Sequence, residues 1–133
     1  MNDQQKKLDI ALLVGRIIVG LIFILAGWGK LTGIEGVQGL FGDVGIPLAG
    51  VMAWVVALVE FVGGIMVLVG YKTRTAALLL ALVMVGAIVF VKLSQGWNAM
   101  RLDMALFALN LTFYLVGAGS MSIEGKAAAG ADE

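Results

Sequence analysis

Four apolar runs, at residues 10–29, 48–70, about 75–93 and about 102–118, constrain what this chain can become. Each is long enough to cross the hydrocarbon core of a bilayer as a helix, the last only barely. In lipid a backbone must satisfy its own polar groups. The pattern therefore predicts an all-α fold, an integral-membrane bundle of four transmembrane helices over about 8–30, 48–70, 74–93 and 100–118. Composition agrees: apolar residues fill 61% of the 133 positions and charged ones only 14%, more apolar surface than a soluble chain of this size can bury. A single membrane domain follows. The first run does not read as a cleaved secretory signal, because it is too long, contains Arg16, and ends in Trp28, Gly29 and Lys30 rather than a small-x-small site.

The connections differ in character. Residues 71–74 make a tight polar turn, so the second and third spans should be antiparallel neighbours. The segment 94–101 is also short. Residues 31–47 mix Gly33, Gly36, Gly39, Gly42 and Gly45 with Ile34, Val37, Leu40, Phe41 and Val44, which suits a short piece lying in the interface. Pro47 fits the first turn of the second span. The tail, about 120–133, should be mobile. Four spans place both termini on one side of the membrane. Lys6, Lys7, Lys72, Arg74 and Lys126 share that side against Lys30, Lys92 and Arg101 on the other, a bias that predicts cytoplasmic termini. Trp28, Trp54 and Trp97 fall near the opposite interface, where Trp serves as an anchor.

Glu60 is the lone charge of the second run. A carboxylate at that depth costs several kcal/mol unless a partner or water stabilises it. Arg16 in the first run is the expected partner, about 10 Å in from its end of the span where Glu60 is about 15 Å in. Helical stripes support an inward position for both. Arg16, Gly20, Phe23, Gly27 and Lys30 share one face, as do Ala49, Ala53, Ala57, Glu60 and Gly64. Small residues in lipid-embedded helices mark close backbone approach. The fourth span aligns Asp103, Phe107, Asn110, Tyr114 and Gly117, and the third Ala77, Ala81, Ile88 and Lys92. Convergence of the four faces predicts a buried polar cluster of Arg16, Glu60, Asn110 and Tyr114. A second, shallower cluster holds Lys30, Lys92 and Asp103.

Each cluster has a structural and a functional reading. A buried pair can fix helix register or mark a ligand or proton site. Lysines near helix ends can snorkel to headgroups, and Asn110 alone suits an interhelical hydrogen bond. With no cysteine and no histidine, disulfides, thiol exchange, Fe–S clusters, His- or Cys-held haem and the usual zinc sites are excluded. A net charge of zero gives no sign of nucleic-acid binding. The glycines match no phosphate-cradling pattern.

Arg16, the stretch GLIFILA at 20–26, then Gly27, Gly29, Lys30 and Leu31 form one block of the first span. Phe41 with Gly45, Ile46 and Pro47, VEFVGG at 59–64, LVGYKT at 68–73 and GAGSMSI at 117–123 follow it in order. Together these segments resemble the DoxX family of small bacterial and archaeal membrane proteins. Family members more often carry Glu where Asp103 stands, and some carry a His that this chain lacks. The resemblance implies a four-helix protein whose relatives are associated with respiratory or thiol redox systems, including subunits of a thiosulfate:quinone oxidoreductase. Lacking a redox side chain, the polypeptide would act as an accessory subunit rather than a catalyst on its own. It would anchor or organise a redox partner in the cytoplasmic membrane, associated with a protein partner or as a homo-oligomer, and shape a quinone or lipid pocket. In that pocket Arg16, Asn110 and Tyr114 would donate hydrogen bonds and Glu60 would carry a proton. The alternatives are a proton or small-solute carrier and a purely structural subunit.

Overall fold

The computed structural model describes residues 2–132. Within them the chain is helical: α1 (Asp3–Thr32), α2 (Ile34–Asp43), α3 (Ala49–Val69), α4 (Thr73–Ala87), α5 (Trp97–Val116) and α6 (Ile123–Asp132). α4 runs on through a π-helical turn, Ile88–Lys92, and a 3-10 turn, Leu93–Gln95. Among the described residues four helices are long and apolar enough to cross a membrane: α1, α3, α4 with its continuation, and α5. The fold is all-α and of the membrane class.

α1 begins well before its apolar run because Asn2 and Gln5 form a reciprocal cap on its first turn. It then lies along α3 at a distance only glycine permits. A Cβ on Gly20 would sit 2.9 Å from the Gly64 carbonyl oxygen, and one on Gly27 would sit 2.5 Å from the Phe61 amide nitrogen. The small-residue stripes are thus the contact faces, and they fix the register. α3 packs in turn on α4, and α4 on α5, around a core of Val19, Phe23, Leu80, Met84, Leu106 and Phe113.

The turn after α3 needs Gly70 for two reasons: its φ is +74°, and a side chain there would strike Arg16 and Ser122. Pro47 falls just outside α3, followed by Leu48 in the left-handed region at φ 53°. α2 is the expected short segment between spans; it buries Phe41 and holds the start of α3 through Gln38 Nε2, which donates to the Gly50 carbonyl at 3.0 Å. The tail expected to be loose carries α6 instead, and its first turn is bonded to the packed helices; Glu133, its last residue, lies outside the described residues.

Candidate functional site

The predicted cluster of Arg16, Glu60, Asn110 and Tyr114 is not assembled; its members occupy three places. With Gly27 beside Phe61, Glu60 is level with the far end of α1, roughly 16 Å along the axis from Arg16. Side-chain direction widens the gap. Helical side chains lean toward their own N-terminus, which carries Arg16 toward the terminal side and brings Lys30 down to Glu60.

Arg16 closes the terminal end of the structure. It is 1% exposed, and its Nη1 donates to the Val67 and Leu68 carbonyls, each at 3.3 Å, while Nη2 donates to Met121 at 2.6 Å. Val67 and Leu68 belong to the last turn of α3, where carbonyls lack helical partners and the helix dipole favours a cation. The acid whose charge reaches Arg16 is Glu124. Around it the segment 117–124 forms a strap. Asp9 accepts from the Ser120 amide at 3.2 Å and the Ser120 hydroxyl at 2.5 Å. The Glu124 amide donates to Gly70 at 3.0 Å, its carboxylate accepts from the Thr73 amide at the start of α4, and Ser122 caps α6 through the Gly125 amide. This end is a set of helix caps made by the chain itself, with Arg16 Nε and Thr73 Oγ1 left without a hydrogen-bond partner among the described residues.

Asn110 is buried, and its Nδ2 donates to Leu106 at 2.9 Å within its own helix rather than across to another. Its Oδ1 has no partner among the described residues. Tyr114 is 41% exposed on the outer surface. The buried face of α5 runs through Asp103, Leu106, Asn110 and Phe113, because Phe113 fits the space left by Gly15, whose added Cβ would lie 3.2 Å from it. Tyr114, one residue on, is turned outward.

The other polar residues meet on the opposite side. Glu60 is joined to Lys30, with Nζ 3.0 Å from Oε1 and 3.2 Å from Oε2. Lys92 Nζ lies 3.2 Å from both oxygens of Asp103. The pairs are close enough for Glu60 to feel the charges of Lys92 and Asp103. All four side chains line a cavity of about 550 Å³ between α2, α3, α4 and α5, with α1 at its back. Its remaining walls are apolar, including Phe23, Phe41, Val59, Val83 and Phe90. Val55, Leu79, Leu82 and Phe90 also lie on the outer surface, so the cavity opens sideways toward the hydrocarbon. The grouping of Lys30, Lys92 and Asp103 by stripe reaches this site. Glu60, grouped elsewhere by the sequence, completes it.

A family model described as DoxX matches residues 11–93. The chain is 36% identical over 121 residues to a Bacillus subtilis protein named "Putative oxidoreductase CatD", covering 90% of this chain and 88% of that one. It is 38% identical over 129 residues to the Escherichia coli inner membrane protein YqjF, covering 90% and 94%. A Haemophilus influenzae protein named only as uncharacterised is 30% identical over 137 residues. No solved structure is significantly similar. The chain belongs to the DoxX family of membrane proteins.

Proposed function

We propose that this chain is an accessory membrane subunit of an oxidoreductase, and that it holds a lipid-soluble quinone in the cavity lined by Lys30, Glu60, Lys92 and Asp103. The observation that carries the reading is the cavity: apolar walls, a polar end made of two ion pairs, and a side opening onto lipid. Its volume of about 550 Å³ lies within the range of small-molecule sites, which combine apolar walls with a few convergent polar groups. The residues fit the ligand class. Ammonium groups can donate to carbonyl oxygens, and carboxylates beside them can hold or pass a proton. When bound, a quinone supplies the electron-carrying chemistry that a chain without cysteine and histidine lacks. The protein's own residues orient the headgroup, exclude bulk water from it and keep protons at hand. The name of the Bacillus relative supports the redox setting, and that of YqjF supports the bacterial inner membrane. The cation bias argues for both termini in the cytoplasm.

The test is purification in a mild detergent with identification of bound quinone and of co-purifying proteins. A quinone in near-stoichiometric amount together with a redox enzyme is the expected result. A chain that carries only phospholipid and no redox partner, from cells rich in quinone, would overturn the proposal. For orientation, a unique cysteine in place of Asp3 should resist an impermeant thiol reagent added to intact cells; labelling from outside would reverse the topology.

A further inference from the structure

The two ion pairs are built asymmetrically toward the cavity. In each, the carboxylate is nearly sealed, with 4% of the Glu60 side chain and 7% of that of Asp103 exposed, whereas Lys30 and Lys92 keep 29% and 32%. The surface that the two pairs leave uncovered is therefore mostly that of the lysines. An ammonium has three donors and no acceptor, and a single carboxylate partner leaves donors over. The site holds two cations and two anions, so it has no net charge to attract a phosphate or a free carboxylate. It suits a neutral ligand whose polar groups are acceptors.

Lys92 owes its place to an irregularity. A regular helix would set Lys92, eleven residues after Ala81, on the same core-facing line. Instead the Leu93 amide donates to the Ile88 carbonyl, five residues back, and the chain makes a π-helical turn over Ile88–Lys92. The wider turn winds Lys92 back by most of one residue's rotation, toward the side of Met84 and Ala87, which line the cavity. Single π-helical turns inside α-helices recur at functional sites.

Resting on the quinone reading, we propose that Lys30 and Lys92 are the ligand-contacting groups. Each donates to one of two separated acceptor oxygens, Glu60 and Asp103 hold them from behind as counter-ions, and the π-helical turn aims Lys92. The carboxylates then position the lysines rather than touch the ligand.

Equilibrium binding of a decyl-substituted benzoquinone to the full chain in lipid nanodiscs tests this, with decylbenzene as the oxygen-free control and thermal denaturation as the check on folding. Wild type should bind the quinone saturably and decylbenzene not at all. Glu60→Gln, which keeps Lys30 but removes the counter-ion that holds it, should weaken binding less than removal of the whole pair. Removal of whole pairs, Lys30→Met with Glu60→Gln and Lys92→Met with Asp103→Asn, should each weaken binding about tenfold or more, as expected for loss of one charge-assisted hydrogen bond. Deletion of Val89 removes the extra residue of the turn and leaves Lys92 on the same face of a regular helix, so it should bind within about threefold of wild type; a folded deletion variant that loses binding overturns the part given to the turn. Lys92→Gln, which keeps the backbone and removes the ammonium, should weaken binding. Retention of wild-type affinity by both pair variants overturns the assignment and leaves the quinone reading standing. Decylbenzene binding as tightly as the quinone also overturns it. Absence of saturable quinone binding to wild type overturns both.

Discussion

A double-mutant cycle on Lys30 and Glu60 should show strong, asymmetric coupling. At 3.0 Å and an effective dielectric near 20, two unit charges attract by about 5 kcal/mol. Desolvation of the buried partner cancels much of this. Lys30 retains 29% exposure and Glu60 only 4%, so the two truncations differ. Lys30→Met strands a sealed carboxylate and should cost about 3 kcal/mol. Glu60→Gln leaves an ammonium that can swing toward water and should cost about 1 kcal/mol. The double variant should recover about 2 kcal/mol relative to the two singles added together. Unfolding by denaturing detergent in mixed micelles can be followed by tryptophan fluorescence, because Trp28 packs on Phe61 beside the pair, with ring centroids 6.1 Å apart. The control is Arg16→Met with Glu60→Gln, which should be additive within about 0.5 kcal/mol. Coupling in the Arg16 cycle and none in the Lys30 cycle would refute the register and the pairing derived from it.

Four further outcomes follow from packing. Gly27→Val should destabilise by about 3 kcal/mol in the same assay, since its Cβ would meet the backbone of Phe61. Arg16→Met should cost about 3 kcal/mol by leaving the carbonyls of Leu68 and Met121 without their donor, whereas that of Val67 keeps the Gly70 amide. Arg16→Lys should restore only part of that loss, because one ammonium cannot span the planar fork. Tyr114→Phe should leave stability within about 0.5 kcal/mol of wild type, as its exposed hydroxyl joins no buried network.

The spans, the short segment at α2 and the glycine faces of α1 and α3 were legible because they are local or periodic signals. Pairing was not. Counted from the ends of their apolar runs, Arg16 and Glu60 come out nearly level, whereas register is set by where Gly20 and Gly27 meet Gly64 and Phe61. The lean of helical side chains toward the N-terminus was available, and it would have turned Lys30, rather than Arg16, toward Glu60. On α5, stripes through Phe107 and Tyr114 or through Leu106 and Phe113 fit the same steps; only the space at Gly15 chooses between them. The π-helical turn leaves no local sign, since its residues suit an α-helix equally well. In the sequence the strap at 117–124 shows only as a motif of resemblance and the start of a tail. Its role emerges only when Asp9, Arg16, Gly70 and Thr73 arrive from four other segments.

If a lipid-soluble quinone occupies the cavity between α2, α3, α4 and α5, photolabelling the full chain in native membranes with an azidoquinone should mark it there. Peptide mass spectrometry should find adducts concentrated at cavity residues such as Met52, Val83 and Phe90 and abolished by excess unlabelled quinone. Adducts spread over outward-facing Leu21, Leu25 and Leu115, undiminished by competitor, would contradict that occupancy.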